Sequence, residues 1–203
     1  YSVRAYLPTL KGAEAAQLQA FLAPNPLPED WAAAEAAFDP RERFTEQDVV
    51  LITYGDLIVS EGRTPLQTLA GFAEVFLRGV ITTLHILPFF PYSSDRGFSV
   101  ISYEEVDPQL GTWDDIAALE GSFKLMFDGV FNHASRGFFQ FHDVLENGPQ
   151  SPYLDWFRVR GYPLYAYHVR RKPNYECWWD LRELPEFNTD HPDVREFLWG
   201  VAT

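Results

Sequence analysis

The stretch "KLMFDGVFNH" (residues 124–133) runs from apolar Leu125, Met126 and Phe127 through Asp128 to the polar pair Asn132 and His133. A strand that ends in Asn-His either caps its own backbone or presents those side chains to a ligand. Asp128 lies inside the run, where a carboxylate needs hydrogen-bond donors; a structural role, orienting its neighbours, is expected. Other groups offer less. Cys177 is a single cysteine, which excludes an internal disulfide and any multi-cysteine zinc site. His85, within an apolar run, reads as a satisfied core histidine, and His142 and His168 lack metal-ligand spacing with other candidates. Trp178 and Trp179 either line a ligand groove or pack within their own segment.

The elements that position these residues follow from periodicity. "DVVLITY" (48–54) is a continuous run rich in β-branched residues, as expected of a strand buried on both faces. "TPLQTLAGFAEVFL" (64–77) predicts a helix with Thr64 as N-cap and Pro65 at its first position. "GVITTLHILPF" (79–89) is a second strand, "TWDDIAALE" (112–120) a short helix capped by Thr112, and "FKLMFDGVF" (123–131) a third strand. This alternation predicts right-handed βαβ units in a parallel sheet, with ligands gathered at the carboxyl ends of the strands. Two long connections leave those ends, one over residues 88–111 and one after His133. Long loops there are usually functional. The second is aromatic-rich and reads as an irregular inserted subdomain, followed by a helix over 189–200. Before the sheet, residues 12–23 and 31–38 read as helices of a preface.

Composition narrows the partners. The 203 residues are 46% hydrophobic and carry 29 acidic against 16 basic side chains, a net charge of -13. A core is therefore sustainable, while nucleic acid and anionic membranes are poor partners. No run approaches the ~18 apolar residues of a membrane span. No secretory leader is visible, and with the lone cysteine this gives a cytoplasmic expectation. The chain starts at Tyr rather than Met, which reads as a piece of something longer.

Four ordered segments resemble the α-amylase superfamily. "DGVFNH" (128–133) resembles its Asp-x-x-x-Asn-His signature at the end of the third barrel strand. "GVITTLHILPFFP" (79–91) is similar to its second strand, "GFSVISYEEVDPQLGTWDDI" (97–116) to the segment after it, and "LPEFN" (184–188) to the close of its inserted domain B. Residues 48–131 look closest to sucrose and glucosylglycerate phosphorylases. Residues 132–203 look closest to neopullulanase and cyclomaltodextrinase, so the chain combines two branches, as a common ancestor or a recombinant would. The implied fold is α/β: the N-terminal part of a (β/α)8 TIM barrel, strands 1–3, with an irregular domain B after strand 3. The implied boundaries are a helical preface at 1–46, the first three βα units at 47–133, domain B at 134–188 and a returning helix at 189–203.

The resemblance also implies chemistry. The family cleaves α-glucosidic bonds with retention, using a carboxylate nucleophile and a carboxylic acid/base about 5 Å apart. It places these on the fourth and fifth strands, beyond residue 203, so the chain alone is expected to be inactive. Hydrolysis or glucosyl transfer on α-glucans, phosphorolysis of an α-glucoside with inorganic phosphate, and a non-catalytic saccharide-binding fragment are the three readings. His133 matches the histidine that hydrogen-bonds the glucosyl unit; neutral imidazole offers one donor and one acceptor. Asp95 matches a carboxylate that grips sugar hydroxyls, and Phe98 a ring that stacks on a sugar face. Tyr103 and Asp107 are expected to hold their loop together. Asn132 is either a ligand of structural calcium or the residue securing the domain B junction; no other cofactor is implied. In two places the chain departs from the family pattern: Ser102 stands where an Asp is common, and Glu186 where Asp, Gln or Lys is usual.

Overall fold

Two threonines set where the helices begin. The computed structural model describes residues 44–202 together with positions 16, 33, 36 and 39. The chain divides into two compact units, Tyr1–Gln47 and Asp48–Thr203, and all elements named below lie in the second. The preface helices expected over 12–23 and 31–38 fall outside the described residues, except for Ala16, Ala33 and Ala36, which are helical.

Helix α1 spans Pro65–Phe76, with Thr64 extended before it. The Thr64 hydroxyl accepts from Gln67 N–H at 3.2 Å and the Gln67 amide oxygen accepts from Thr64 N–H at 3.3 Å, a reciprocal capping box. Helix α2, Trp113–Glu120, repeats the device with Thr112 and Asp115, whose carboxylate accepts from Thr112 N–H at 2.9 Å. The two boxes are joined, because Gln67 Nε2 donates to Asp115 Oδ1 at 2.9 Å and Thr64 Oγ1 to Oδ2 at 3.3 Å. One buried carboxylate therefore fixes the N-termini of both helices against each other. Burial pushes the Asp115 carboxyl up, but hydrogen bonds from Gln67, Thr112 and Thr64 outweigh it and hold it below the usual carboxylate range.

Strands β1 (Val50–Thr53), β2 (Thr83–Ile86) and β3 (Lys124–Phe127) form a parallel sheet in the order β1-β2-β3. Leu84 and Ile86 of β2 are fully buried, and Leu66, Leu69 and Ala73 of α1 and Ile116 and Leu119 of α2 join the same core. Strand alternation puts the other residues of the register, Val50, Ile52, His85 and Met126, on the opposite face. Val50, Ile52 and Met126 are 46%, 59% and 45% exposed. This corrects the expectation that the first strand is buried on both faces. Helices cover one face of a three-stranded sheet; burying the other takes the further strands that close a barrel. The strands are also shorter than their apolar runs, so Asp128 lies just past β3 rather than inside it.

The connection after β2 folds back on itself. Tyr92 and Val100 form an antiparallel bridge, Ser93 N–H donates to Ser99 C=O at 3.0 Å, and a tight turn over Asp95–Gly97 makes the bend. The segment after His133 is less irregular than expected. It contains helix α3, Phe139–Asn147, whose Phe141 and Val144 are buried, and short antiparallel bridges pair Phe157 with Phe187, Val159 with Tyr175 and Cys177 with Pro185. Helix α4, Pro192–Ala202, buries Val194 and Leu198. Its Phe197 ring packs on Tyr103, Phe138 and Trp156, which ties this helix, the insertion and the post-β2 loop into one aromatic cluster.

Candidate active-site wall

The carboxyl end of β3 is held from three sides. His85 Nε2 and Asp128 Oδ2 lie 2.9 Å apart, so Asp128 links β3 to β2, and His85 is satisfied by a carboxylate rather than by the core. The Tyr103 hydroxyl donates to Val130 C=O at 2.6 Å and, more weakly, to His133 C=O at 3.3 Å. On the third side, Phe187 N–H donates to Asn132 C=O and Ala134 N–H to Pro185 C=O, with His133 and Glu186 bridged antiparallel between them. Glu186 thus occupies a backbone pairing position, and Ser102 leaves the anchoring to its neighbour Tyr103. Asp107 closes its own turn, its Oδ1 accepting from Gln109 N–H at 2.8 Å while its N–H donates to Phe89 C=O at 2.8 Å.

This framework fixes the His133 ring, which is 4% exposed. Its Nε2 lies 2.9 Å from the Phe98 carbonyl oxygen. A carbonyl only accepts, so Nε2 carries the proton and Nδ1 is left with its lone pair. Nδ1 is buried and has no hydrogen-bond partner. The Trp178 indole stacks on the imidazole, with centroids 5.8 Å apart and planes 18° from parallel. Burial lowers the His133 pKa from its ordinary value, against smaller opposing effects of the Phe98 carbonyl and the Asp95 carboxylate. The ring is therefore neutral at pH 7, and its Nδ1 is a buried acceptor without a donor.

Two bends flank it. In the turn after β2, Asp95 and Arg96 both adopt left-handed backbone, at φ 57° and 48°. Gly97 follows at φ 104°, where a Cβ would sit 2.4 Å from the Pro88 carbonyl oxygen, so only glycine fits. In the other, Trp179 and Asp180 are left-handed at φ 54° and 57° directly after Trp178. Consecutive non-glycine residues in this region are costly and concentrate where a side chain must be aimed. The first bend carries Asp95 close enough for its charge to act on the imidazole and the second sets Trp178 on it.

Of the residues singled out from the sequence, His133, Asp95 and the Phe98 carbonyl come together here. The Phe98 ring is half-buried against the core, so its main contribution to this wall is its carbonyl. Asp128, Tyr103 and the Asn132 backbone hold the carboxyl end of β3, while Asp107 closes its own turn. The Asn132 backbone carbonyl accepts from Phe187 N–H, which ties this residue to the segment after His133; among the described residues no three His, Cys, Asp or Glu side chains are grouped. Sequence reasoning left Trp178 undecided and passed over Arg96, whose guanidinium lies 4.5 Å from the Tyr54 ring centroid. The signal for Arg96 was its place between Asp95 and an obligatory glycine. No helix among the described residues is long and apolar enough to cross a membrane.

Known proteins resemble this chain in sequence and fold. Residues 77–202 match the alpha-amylase family, catalytic domain. A glucosylglycerate phosphorylase of Allomeiothermus silvanus is 50% identical over 107 residues, 53% of this chain and 19% of that protein. A cyclomaltodextrinase of Geobacillus thermopakistaniensis is 36% identical over 128 residues, 61% of this chain and 21% of that protein. The chain thus spans about a fifth of the length of these curated relatives. Among solved structures, a debranching enzyme of Nostoc punctiforme superposes with a TM-score of 0.69 at 33% identity, over 77% of this chain and 38% of that one. Ttha1563 of Thermus thermophilus does so with 0.67 at 31% identity, over 77% and 39%. The three parallel strands and their helices are part of a TIM barrel, and the chain belongs to the alpha-amylase catalytic-domain family.

Proposed function

We propose that these residues form one wall of an α-glucosyl-binding site in a retaining enzyme acting on α-glucans or α-glucosides. The observation that carries this is the buried, unpartnered Nδ1 of a neutral His133. An orphaned buried acceptor is costly, and a sugar hydroxyl donating to it removes the cost. Asp95, exposed on its bend, accepts further hydroxyl protons from the same ring. Residues 134–188 act as the inserted domain B, whose Trp178 excludes water from the imidazole.

Retention takes a nucleophilic carboxylate and an acid/base carboxyl on opposite sides of the anomeric carbon. In this proposal both come from strands other than β1, β2 and β3, so the 203 residues bind sugar without turning it over. Measurable turnover of maltotriose or sucrose by the purified chain would overturn that part. Hydrolysis or glucosyl transfer is the leading reaction. Phosphorolysis is the second reading, favoured by the 50% identity to a glucosylglycerate phosphorylase.

The test is calorimetric titration of the chain with methyl α-D-glucopyranoside. His133→Ala should weaken binding by about tenfold or more, the loss of one buried hydrogen bond and its ring contacts. Equal affinity in variant and parent would remove His133 from the site.

A further inference from the structure

We propose that Ser93 is a positioning residue, whose hydroxyl latches the turn carrying Asp95 and the Phe98 carbonyl onto the segment carrying His133. The proposal rests on the His133 reading and names what keeps the two halves of that wall together. Three serine hydroxyls meet at the latch. Ser93 Oγ lies 2.9 Å from Ser99 Oγ and 2.6 Å from Ser135 Oγ. Ser93 and Ser99 stand on the two arms of the fold-back after β2, next to the bridge between Tyr92 and Val100, and Ser135 lies two residues past His133.

The latch lies among three other links. Ser135 N–H donates to Val100 C=O at 2.9 Å, which joins the same two segments, and Ile101 N–H donates to Pro91 C=O at 2.8 Å, which closes the fold-back on itself. The third is the 2.9 Å contact of His133 Nε2 with the Phe98 carbonyl, at the turn between the arms. Ser93 is the one side chain that touches both arms' partner segment and the opposite arm, so it sets the distance on which the His133 contact depends.

Burial makes the latch matter. Ser99 and Ser135 are both 0% exposed. Among the described residues the Ser99 hydroxyl has Ser93 as its partner, and the Ser135 hydroxyl has Ser93 and the Gly137 N–H, which donates to it at 2.9 Å. Without the Ser93 oxygen, two buried hydroxyls lose a partner each, which is costly. Water relieves that cost by entering between the segments. Ser93 is itself exposed, so water has a path to the gap. The entry parts the segments and draws the Phe98 carbonyl and Asp95 away from the imidazole.

The test is amide hydrogen exchange by NMR on the full chain, with calorimetric titration of methyl α-D-glucopyranoside beside it. The Ser135 amide, bonded to Val100 C=O, reports parting of the two segments; the Leu69 amide, on the buried stripe of α1, reports the whole fold. Ser93→Ala should speed exchange at Ser135 about tenfold and weaken sugar binding by about as much, the loss of one buried hydrogen bond, while Leu69 keeps the parent's rate. Ser93→Thr, which retains the hydroxyl at an exposed position, should restore both. Parental exchange at Ser135 in Ser93→Ala, equal acceleration at Ser135 and Leu69, unchanged sugar affinity, or no rescue by threonine would each overturn the latch and leave the His133 site standing. A parent that binds no sugar overturns the His133 reading, and the exchange rates then decide on their own whether Ser93 holds the segments together.

Discussion

Tyr103→Phe removes a single oxygen from a place the ring already fills. The side chain is 6% exposed and lies among Phe90, Phe138 and Phe197, so phenylalanine keeps every ring contact. What disappears is the hydroxyl that donates to Val130 C=O at 2.6 Å and, at 3.3 Å, to His133 C=O. One proton serves both, and the shorter contact carries most of the energy. The Val130 carbonyl then loses a buried donor, which costs about 1–3 kcal/mol. The oxygen-sized void adds little. Burial raises the Tyr103 pKa, so the hydroxyl stays a donor across the accessible pH range. Urea unfolding should show a lower midpoint with an unchanged denaturant slope, equivalent to about 2 kcal/mol. Sugar affinity should fall as well, because the tethered segment is the one that carries His133. A stability change below about 0.5 kcal/mol, the size of an ordinary surface substitution, would show that Tyr103 does not anchor the exit of β3.

Asp115→Ala should cost about 2–4 kcal/mol, since it removes the acceptor shared by both capping boxes. The folded carboxyl titrates below its ordinary 3.8. Its contribution is thus complete above that value and fades as pH falls through the folded pKa. Urea unfolding at several pH values should show a constant gap between parent and variant near neutrality that narrows in acid; a gap that widens in acid would contradict the assignment. Gly97→Ala, with φ at 104° and a Cβ 2.4 Å from the Pro88 carbonyl oxygen, should lose about 2–4 kcal/mol and most sugar affinity. A Gly97→Ala protein with parental stability and affinity would refute the left-handed bend.

The βαβ order and both threonine caps were legible because they are local: a hydroxyl, a reciprocating Gln or Asp and a periodic apolar stripe lie within one turn of each other. Strand burial was not, because an apolar run reports what could be covered and not how many layers cover it. Helix α3 was missed although Phe138, Phe141, Val144 and Leu145 recur at helical spacing. Its N-cap, Phe138, makes no side-chain capping hydrogen bond, and its aromatic surroundings read as irregular. Within the site, His133 and Asp95 were found from their motifs. The ring of Trp178 against His133 and that of Tyr54 under Arg96 join residues distant in sequence, and no spacing rule reports such pairs. The left-handed Asp95–Arg96 pair is hidden for another reason: Arg has no preference for that conformation, and only the tertiary contact of Gly97 with Pro88 requires it.

The proposed glucosyl site depends on His133 being a neutral imidazole, protonated at Nε2, whose Nδ1 awaits a sugar hydroxyl. Nitrogen-15 NMR of the His133 ring measures this directly, followed over pH and on addition of methyl α-D-glucopyranoside. Burial lowers the pKa below its ordinary 6.5 more than the Phe98 carbonyl and the Asp95 carboxylate raise it. The predicted result is an Nε2–H tautomer at pH 7, a titration midpoint below 6.5, and an Nδ1 resonance that shifts as sugar binds, with affinity lost as pH falls through that midpoint. An Nδ1–H tautomer, a midpoint above 6.5, or an Nδ1 resonance unmoved at saturating sugar would contradict it.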